Sequence, residues 1–198
     1  MEEDILEFSQ QWLTLDKYQF KIITMVTVLA DNQKAYRGKL SDLCQYLSIK
    51  PVSGNINNIK SALTSLAENN YVNIMIDKDI YTVSLSKAAE KNKNIIKIKR
   101  AWYHLIRNTK SEAAWEQVLK VFLVLIDLSQ GKEQKTITYE EIGTMIKCGK
   151  STVDRAVKTI CSINFVDFKI QKEVNKIRLE DGGYRTLGTI YNQGIYFE

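Results

Sequence analysis

The side chains best placed to do chemistry crowd into one stretch, Thr138 to Ile163, TYEEIGTMIKCGKSTVDRAVKTICSI. Lys147, Lys150, Arg155 and Lys158 supply cations, and Ser151 and Thr152 supply hydroxyls. Cations and small hydroxyls without a base or a nucleophile suit non-covalent work, gripping a polyanion through charge and hydrogen bonds. Asp154 stands against that reading, since a carboxylate repels phosphate; it accepts from a base, holds Arg155 or Lys158, or faces away.

Covalent chemistry has little to build on. His104 is the only histidine, and its helical surroundings hold no carboxylate or nucleophile partner. The chain has no GxxxxGK[ST] loop, no GxGxxG after a strand and no HExxH. Glu140 and Glu141 are adjacent, so a helix points them apart. The cysteines Cys44, Cys148 and Cys161 are odd in number and lack CxxC spacing, which implies reduced thiols filling helical cores in a cytoplasmic protein. A non-enzymatic protein with no cofactor and no metal is the expectation.

Two helices must position the cationic set. Thr138 and Glu141 form a capping box for the first, from about Tyr139 to Lys147, with Ile142, Met145 and Ile146 on one face. Cys148-Gly149-Lys150 breaks it, with Gly149 as the left-handed residue and Ser151 as the next N-cap. The second helix turns Val153, Ala156, Val157 and Ile160 inward and Thr152, Asp154, Arg155 and Lys158 outward. Phe165 to Phe168 then alternates like a strand.

This order resembles the bacterial winged helix-turn-helix. The resemblance rests on the acidic-Ile-small segment, the Gly turn, Ser-Thr-Val, the Arg-Ala-Val stretch and the strand that follows. It implies double-stranded DNA as the partner, with the second helix in the major groove. Ser151, Thr152 and Arg155 would meet base edges, and Lys147, Lys150 and Lys158 would hold phosphates. It also implies a transcription regulator or a plasmid or phage replication initiator, nucleoid-associated. A winged-helix adaptor that binds protein in a nucleoprotein complex is the competing class.

The rest of the chain is read around that stretch. Residues 1–90 hold 9 Lys and Arg against 11 Asp and Glu, while residues 91–198 hold 19 against 12, so the second half is the one suited to a polyanion. The acidic start is unlike a signal peptide, and no apolar run is long enough to span a bilayer, so no membrane partner is expected. Residues 1–15 read as an amphipathic helical arm with Ile5, Leu6, Phe8, Trp12 and Leu13 as its apolar edge. Asp16 caps a helix over 17–30. Leu40, Leu43, Cys44 and Leu47 line one short helix. After the turn holding Pro51 and Gly54, Ile56, Ile59, Ala62, Leu63 and Leu66 line another. Runs 71–76 and 80–85 make a hairpin about Asp77-Lys78-Asp79.

The halves repeat. Leu29 and Leu43 match Leu128 and Ile142 at an offset of 99; Ile59, Ala62, Leu63 and Leu66 match Val153, Ala156, Val157 and Ile160 at 94. A turn five residues longer around Pro51 reconciles the two offsets. Residues 87–100 form a basic linker or the start of a helix to Asn108, lined by Ile95, Ile98, Trp102 and Leu105. Thr109 and Glu112 read as a capping box before a core helix over 113–129. A long hairpin about Asp181-Gly182-Gly183 carries Lys172, Lys176 and Arg178, which the resemblance would set along the DNA backbone or in the minor groove, and Asn192-Gln193-Gly194 turns once more.

Together these give a mainly α chain with small β-hairpin wings, two tandem winged helix-turn-helix domains. The divisions are 1–90 with the arm and first domain, 91–110 as the basic linker or helix, and 111–198 as the second, basic domain. In the first domain Asn55, Asn57, Asn58 and Lys60 face outward; asparagine can read adenine, and a polar face kept for protein contact is the open alternative. Pairing of two copies through the arm or the linker helix also stays open.

Overall fold

The computed structural model describes residues 4–30, 35–87, 89, 94–129, 136–165, 170–178 and 184–193. Helices predominate, accompanied by small antiparallel sheets. The chain divides into two compact units, Leu6–Lys97 and Ile98–Glu198, the latter grouped with Met1–Ile5.

Each unit presents the same succession of elements. The first runs through α1 (Lys17–Ala30), β2 (Tyr36–Gly38), α2 (Leu40–Tyr46), α3 (Ser53–Glu68), β3 (Val72–Asp77) and β4 (Ile80–Leu85). Its sheet order is β2-β4-β3, with Tyr36 opposite Val83 and Ile74 also opposite Val83 from the other side. The second runs through α5 (Trp115–Ser129), β6 (Thr136–Ile137), α6 (Tyr139–Ile146), α7 (Lys150–Ser162), β7 (Ile170–Arg178) and β8 (Tyr184–Gln193), with order β6-β8-β7. Its hairpin is longer and carries a register shift at Asn175/Lys176.

Ahead of each set stands a strand and a helical turn. These are β1 (Ile5–Ser9) with a 3-10 helix (Gln10–Thr14), and β5 (Ile95–Lys99) with α4 (Arg100–Asn108). The two strands pair with each other. The residues expected to start helices here are therefore strands. Alternation explains it: Leu6 and Phe8 are buried and Glu7 exposed, while Ile96 and Ile98 are buried and Lys97 exposed. The apolar residues of the expected arm, which could pack on the body or on a second copy, are buried within one chain at Leu6, Phe8, Trp12 and Leu13.

The cores follow from the helices. α1 and α5 are buried nearly all round, as a central helix must be. Asp16 caps α1, its carboxylate accepting from the N–H groups of Tyr18 at 2.7 Å and Gln19 at 2.9 Å. In the second unit Phe165 stacks on Phe122 at 5.2 Å, and Trp102 meets both rings edge-on. That cluster anchors the end of α7. The expected capping box at Thr109 and Glu112 is not formed: the Thr109 hydroxyl turns back to the Leu105 carbonyl at 2.6 Å, and α5 starts at Trp115. Leu105 is exposed, while Trp102, Tyr103 and Ile106 form the buried side of α4. The tips read at Asp181-Gly182-Gly183 and at Gly194, and Val166 to Phe168 of the strand read after Phe165, lie outside the described residues.

Candidate functional site

The site is built on α6, the turn after it, and α7. Thr138 caps α6 as its sequence foretells: its hydroxyl accepts from Glu141 N–H at 3.2 Å, and its own N–H donates to the Glu141 carboxylate at 2.6 Å. The Thr138 N–H and then its hydroxyl, both donating to the Glu141 carboxylate, hold that carboxyl below its usual range. Ile142 and Ile146 are buried, whereas Met145 sits on the exposed side.

The turn closes differently from the expectation. Lys147, not Gly149, takes the left-handed conformation, with φ 54° and ψ 49°. Gly149 has φ −78° and is itself the N-cap of α7, so Ser151 lies inside the helix. Cys148 N–H reaches back to the Gly143 carbonyl at 2.8 Å, a helix-ending bond that fixes where the left-handed residue falls. This closure depends on Gly143. A Cβ there would stand 2.6 Å from the Cys148 carbonyl oxygen. A glycine inside an apolar-periodic helix is the signal that could have found it.

α7 divides as its spacing implies. Val153, Ala156, Val157 and Ile160 are buried, while Ser151, Arg155 and Lys158 are exposed and Thr152 is half-exposed. Arg155 folds back over its own helix, Nε donating to the Ser151 carbonyl at 3.3 Å. Neither Arg155 nor Lys147 has a carboxylate partner among the described residues. Lys150 pairs with Glu140 at 2.9 Å, and Lys158 pairs with Asp154 at 2.8 Å. Asp154 thus holds Lys158, and this partner raises the lysine above its ordinary range. Lys172, Lys176 and Arg178 fall on β7, opposite Tyr191, Thr186 and Tyr184 of β8.

No protein-family model matches this chain, and no curated protein matches it.

α3 presents the corresponding face in the first unit. Ile59, Ala62, Leu63 and Leu66 are buried, and α3 and α7 end at the same offset of 94, at Glu68 and Ser162. The left-handed residues, Ser48 and Lys147, keep the earlier offset of 99. The five-residue surplus is therefore shared: two residues lengthen the turn, and three add a turn to the start of α3. In this register Asn57, Asn58, Lys60 and Ser61 match Ser151, Thr152, Asp154 and Arg155. All four of the first unit's residues are exposed. Asn55 is half-buried and bonded to Tyr18 and to the Lys50 carbonyl, which makes it a structural residue.

Two buried lysines escaped the sequence reading. Lys21 of α1 and Lys120 of α5 are 4% and 2% exposed and share the offset of 99. Lys21 Nζ donates to the carbonyl of Leu47, at the end of α2, at 3.3 Å. Lys120 lies near the matching turn, where its charge partly offsets the rise that burial imposes on the Cys148 thiol. A cation suits the carbonyl end of a helix. The signal was a lysine at matching positions within the apolar runs of the two central helices. Of the cysteines expected in cores, Cys44 is buried, Cys148 is half-buried and Cys161 is exposed. Among the described residues no group of three or more His, Cys, Asp and Glu could hold a metal ion, and no helix is long and apolar enough to cross a membrane.

Proposed function

We propose that the chain is a non-enzymatic, sequence-specific double-stranded DNA-binding protein of two tandem winged helix-turn-helix domains, gripping DNA mainly through the second. It serves as a transcription regulator or as a plasmid or phage replication-initiation factor, working at the nucleoid in the cytoplasm. One observation carries the reading. α7 buries one face and exposes Ser151 and Arg155 on the other, with Lys150 at its first position and Lys147 in the turn just before it. A duplex would take the first turns of α7 in its major groove, with Arg155 bridging the two acceptors of a guanine. Lys147 and Lys150 would hold flanking phosphates, and the β7–β8 hairpin would follow the backbone.

The test is retention of random duplex fragments at graded salt. Binding should weaken by about 0.9 log unit per log unit of salt for each phosphate neutralised. Arg155→Ala should cost about 1–3 kcal/mol on the selected sequence and relax one base position. Absence of duplex binding at low salt, on any fragment, would leave the adaptor reading in its place. That second reading draws on β3, where Met75 is 73% and Ile76 60% exposed beside Asp77, an apolar and acidic tip better suited to protein than to phosphate.

A further inference from the structure

We infer that the first unit reads adenine through Asn57 and Asn58, so that the protein carries two unlike reading heads and its target has an A·T block and a separate G-containing block. The inference rests on the DNA-binding reading above and assigns base chemistry to it.

Position comes first. The buried quartets of α3 and α7 superpose at one offset, so Asn57 and Asn58 occupy the places of Ser151 and Thr152. Ser61 stands where the second unit has Arg155. The guanidinium that selects guanine is thus replaced by a hydroxyl, and carboxamides take the neighbouring places. A carboxamide offers one acceptor and one donor side by side, the complement of adenine N6–H and N7.

Orientation comes second. An exposed asparagine ordinarily rotates freely, which costs affinity when it is fixed. Asn58 does not. Its Nδ2 donates one hydrogen to the Tyr18 hydroxyl at 3.2 Å; that hydroxyl donates to Asn55 Oδ1 at 2.8 Å; and Asn55 Nδ2 donates to the Lys50 carbonyl at 2.9 Å. The relay ties the amide plane of Asn58 to α1 and to the turn before α3. It leaves Oδ1 and one N–H of Asn58 unused, an acceptor and a donor such as an adenine edge pairs with. Tyr18 is therefore a positioning residue: it touches no base and sets the angle of one that does. The approach is open, since Ser53 and Gly54 lead α3, and a Cβ at Gly54 would meet nothing within 4 Å.

The experiment selects bound fragments from random duplexes with the full chain, then repeats the selection with Asn57→Ala, Asn58→Ala, Tyr18→Phe and Arg155→Ala. An asymmetric consensus is expected, with an A·T block and a G-containing block. Asn57→Ala and Asn58→Ala should cut discrimination in the A·T block by about 5- to 100-fold and spare the G block, with Arg155→Ala doing the reverse. Tyr18→Phe keeps the ring and removes only the relay; it should blur the A·T block while circular dichroism stays unchanged. A palindromic or single-block consensus overturns the inference, as does an A·T block indifferent to both asparagine variants. A wild-type chain that enriches no fragment at low salt overturns the DNA-binding reading itself, and this inference with it.

Discussion

Replacing Gly143 by alanine sets a local preference against a contact. Inside a helix, alanine is better than glycine by about 1 kcal/mol. At Gly143 the new Cβ would lie 2.6 Å from the Cys148 carbonyl oxygen and 3.7 Å from Val153 Cγ2. A backbone carbonyl cannot swing aside as the end of a long side chain can. Relief requires α6 and the turn to part, which stretches the 2.8 Å bond from Cys148 N–H to the Gly143 carbonyl and loosens Val153 at the start of the α7 core. Forcing extra atoms into a close-packed site costs about 1–3 kcal/mol, and a weakened backbone bond adds up to about 1 kcal/mol. Against the gain of about 1 kcal/mol in helix preference, the balance is a net loss centred on about 1.5 kcal/mol, within a range of about 0–3 kcal/mol. Gly54, in the first turn of α3 with nothing within 4 Å, is the control. There the same substitution should stabilise by up to about 1 kcal/mol. Urea unfolding followed by circular dichroism reads both. A Gly143→Ala chain that unfolds at the same or higher urea than the wild type would refute the reasoning, because the turn would then be looser than 2.6 Å implies.

Two further outcomes are expected. Asp154→Asn should free Lys158 from its 2.8 Å partner; duplex binding should tighten regardless of sequence and the salt slope steepen by about 0.9, and an unchanged slope would show that the pair does not restrain the lysine. Burial, with Asp42 and Cys44 adding to it, pushes the Tyr36 phenol up to about 12, and its hydroxyl donates to the Lys39 carbonyl at 2.7 Å. An unfolded chain ionises that phenol near pH ~10, so this contribution is whole below that pH and is lost as pH climbs toward 12. Tyr36→Phe should flatten the alkaline fall in the urea midpoint, and an equally steep fall in the variant would sink the assignment.

What was legible in the sequence was local. The Thr138–Glu141 cap, the bounds of α1, the inward quartets of α3 and α7 and the β3–β4 hairpin depend on neighbours within a few positions, and all are found. β1 and β5 were missed because each is five residues long and has its partner about ninety residues away in the chain. Ile5, Phe8 and, beyond the strand, Trp12 satisfy a helical count as readily as Leu6 and Phe8 satisfy an alternating one. A separation of about fifty residues hid β2 and β6 in the same way, since they exist only as third strands beside β4 and β8. The left-handed place went to Gly149 because glycine adopts it most readily, whereas the bond from Cys148 to Gly143 puts it on Lys147. At the candidate site, residue identities could be read from spacing. That Asp154 holds Lys158 was one of three roles its position left open; what Glu140 and Tyr18 do to those residues could not be read, because it depends on side-chain partners in space.

The buried lysines bear on how each core can adjust. A helix lined only with hydrocarbon can slide or roll slightly and still find comparable packing, which is how many cores absorb substitutions. α1 has no such freedom. Turning it by one residue, about 100°, would carry the Lys21 ammonium from the Leu47 carbonyl into hydrocarbon, where an unpaired charge is intolerable. Lys21 therefore works as a locating pin, admitting one seating of α1 against the end of α2. The first unit thus gives up the tolerance of a greasy core and gains a fixed seating of its central helix; Lys120 is buried at the same place in α5.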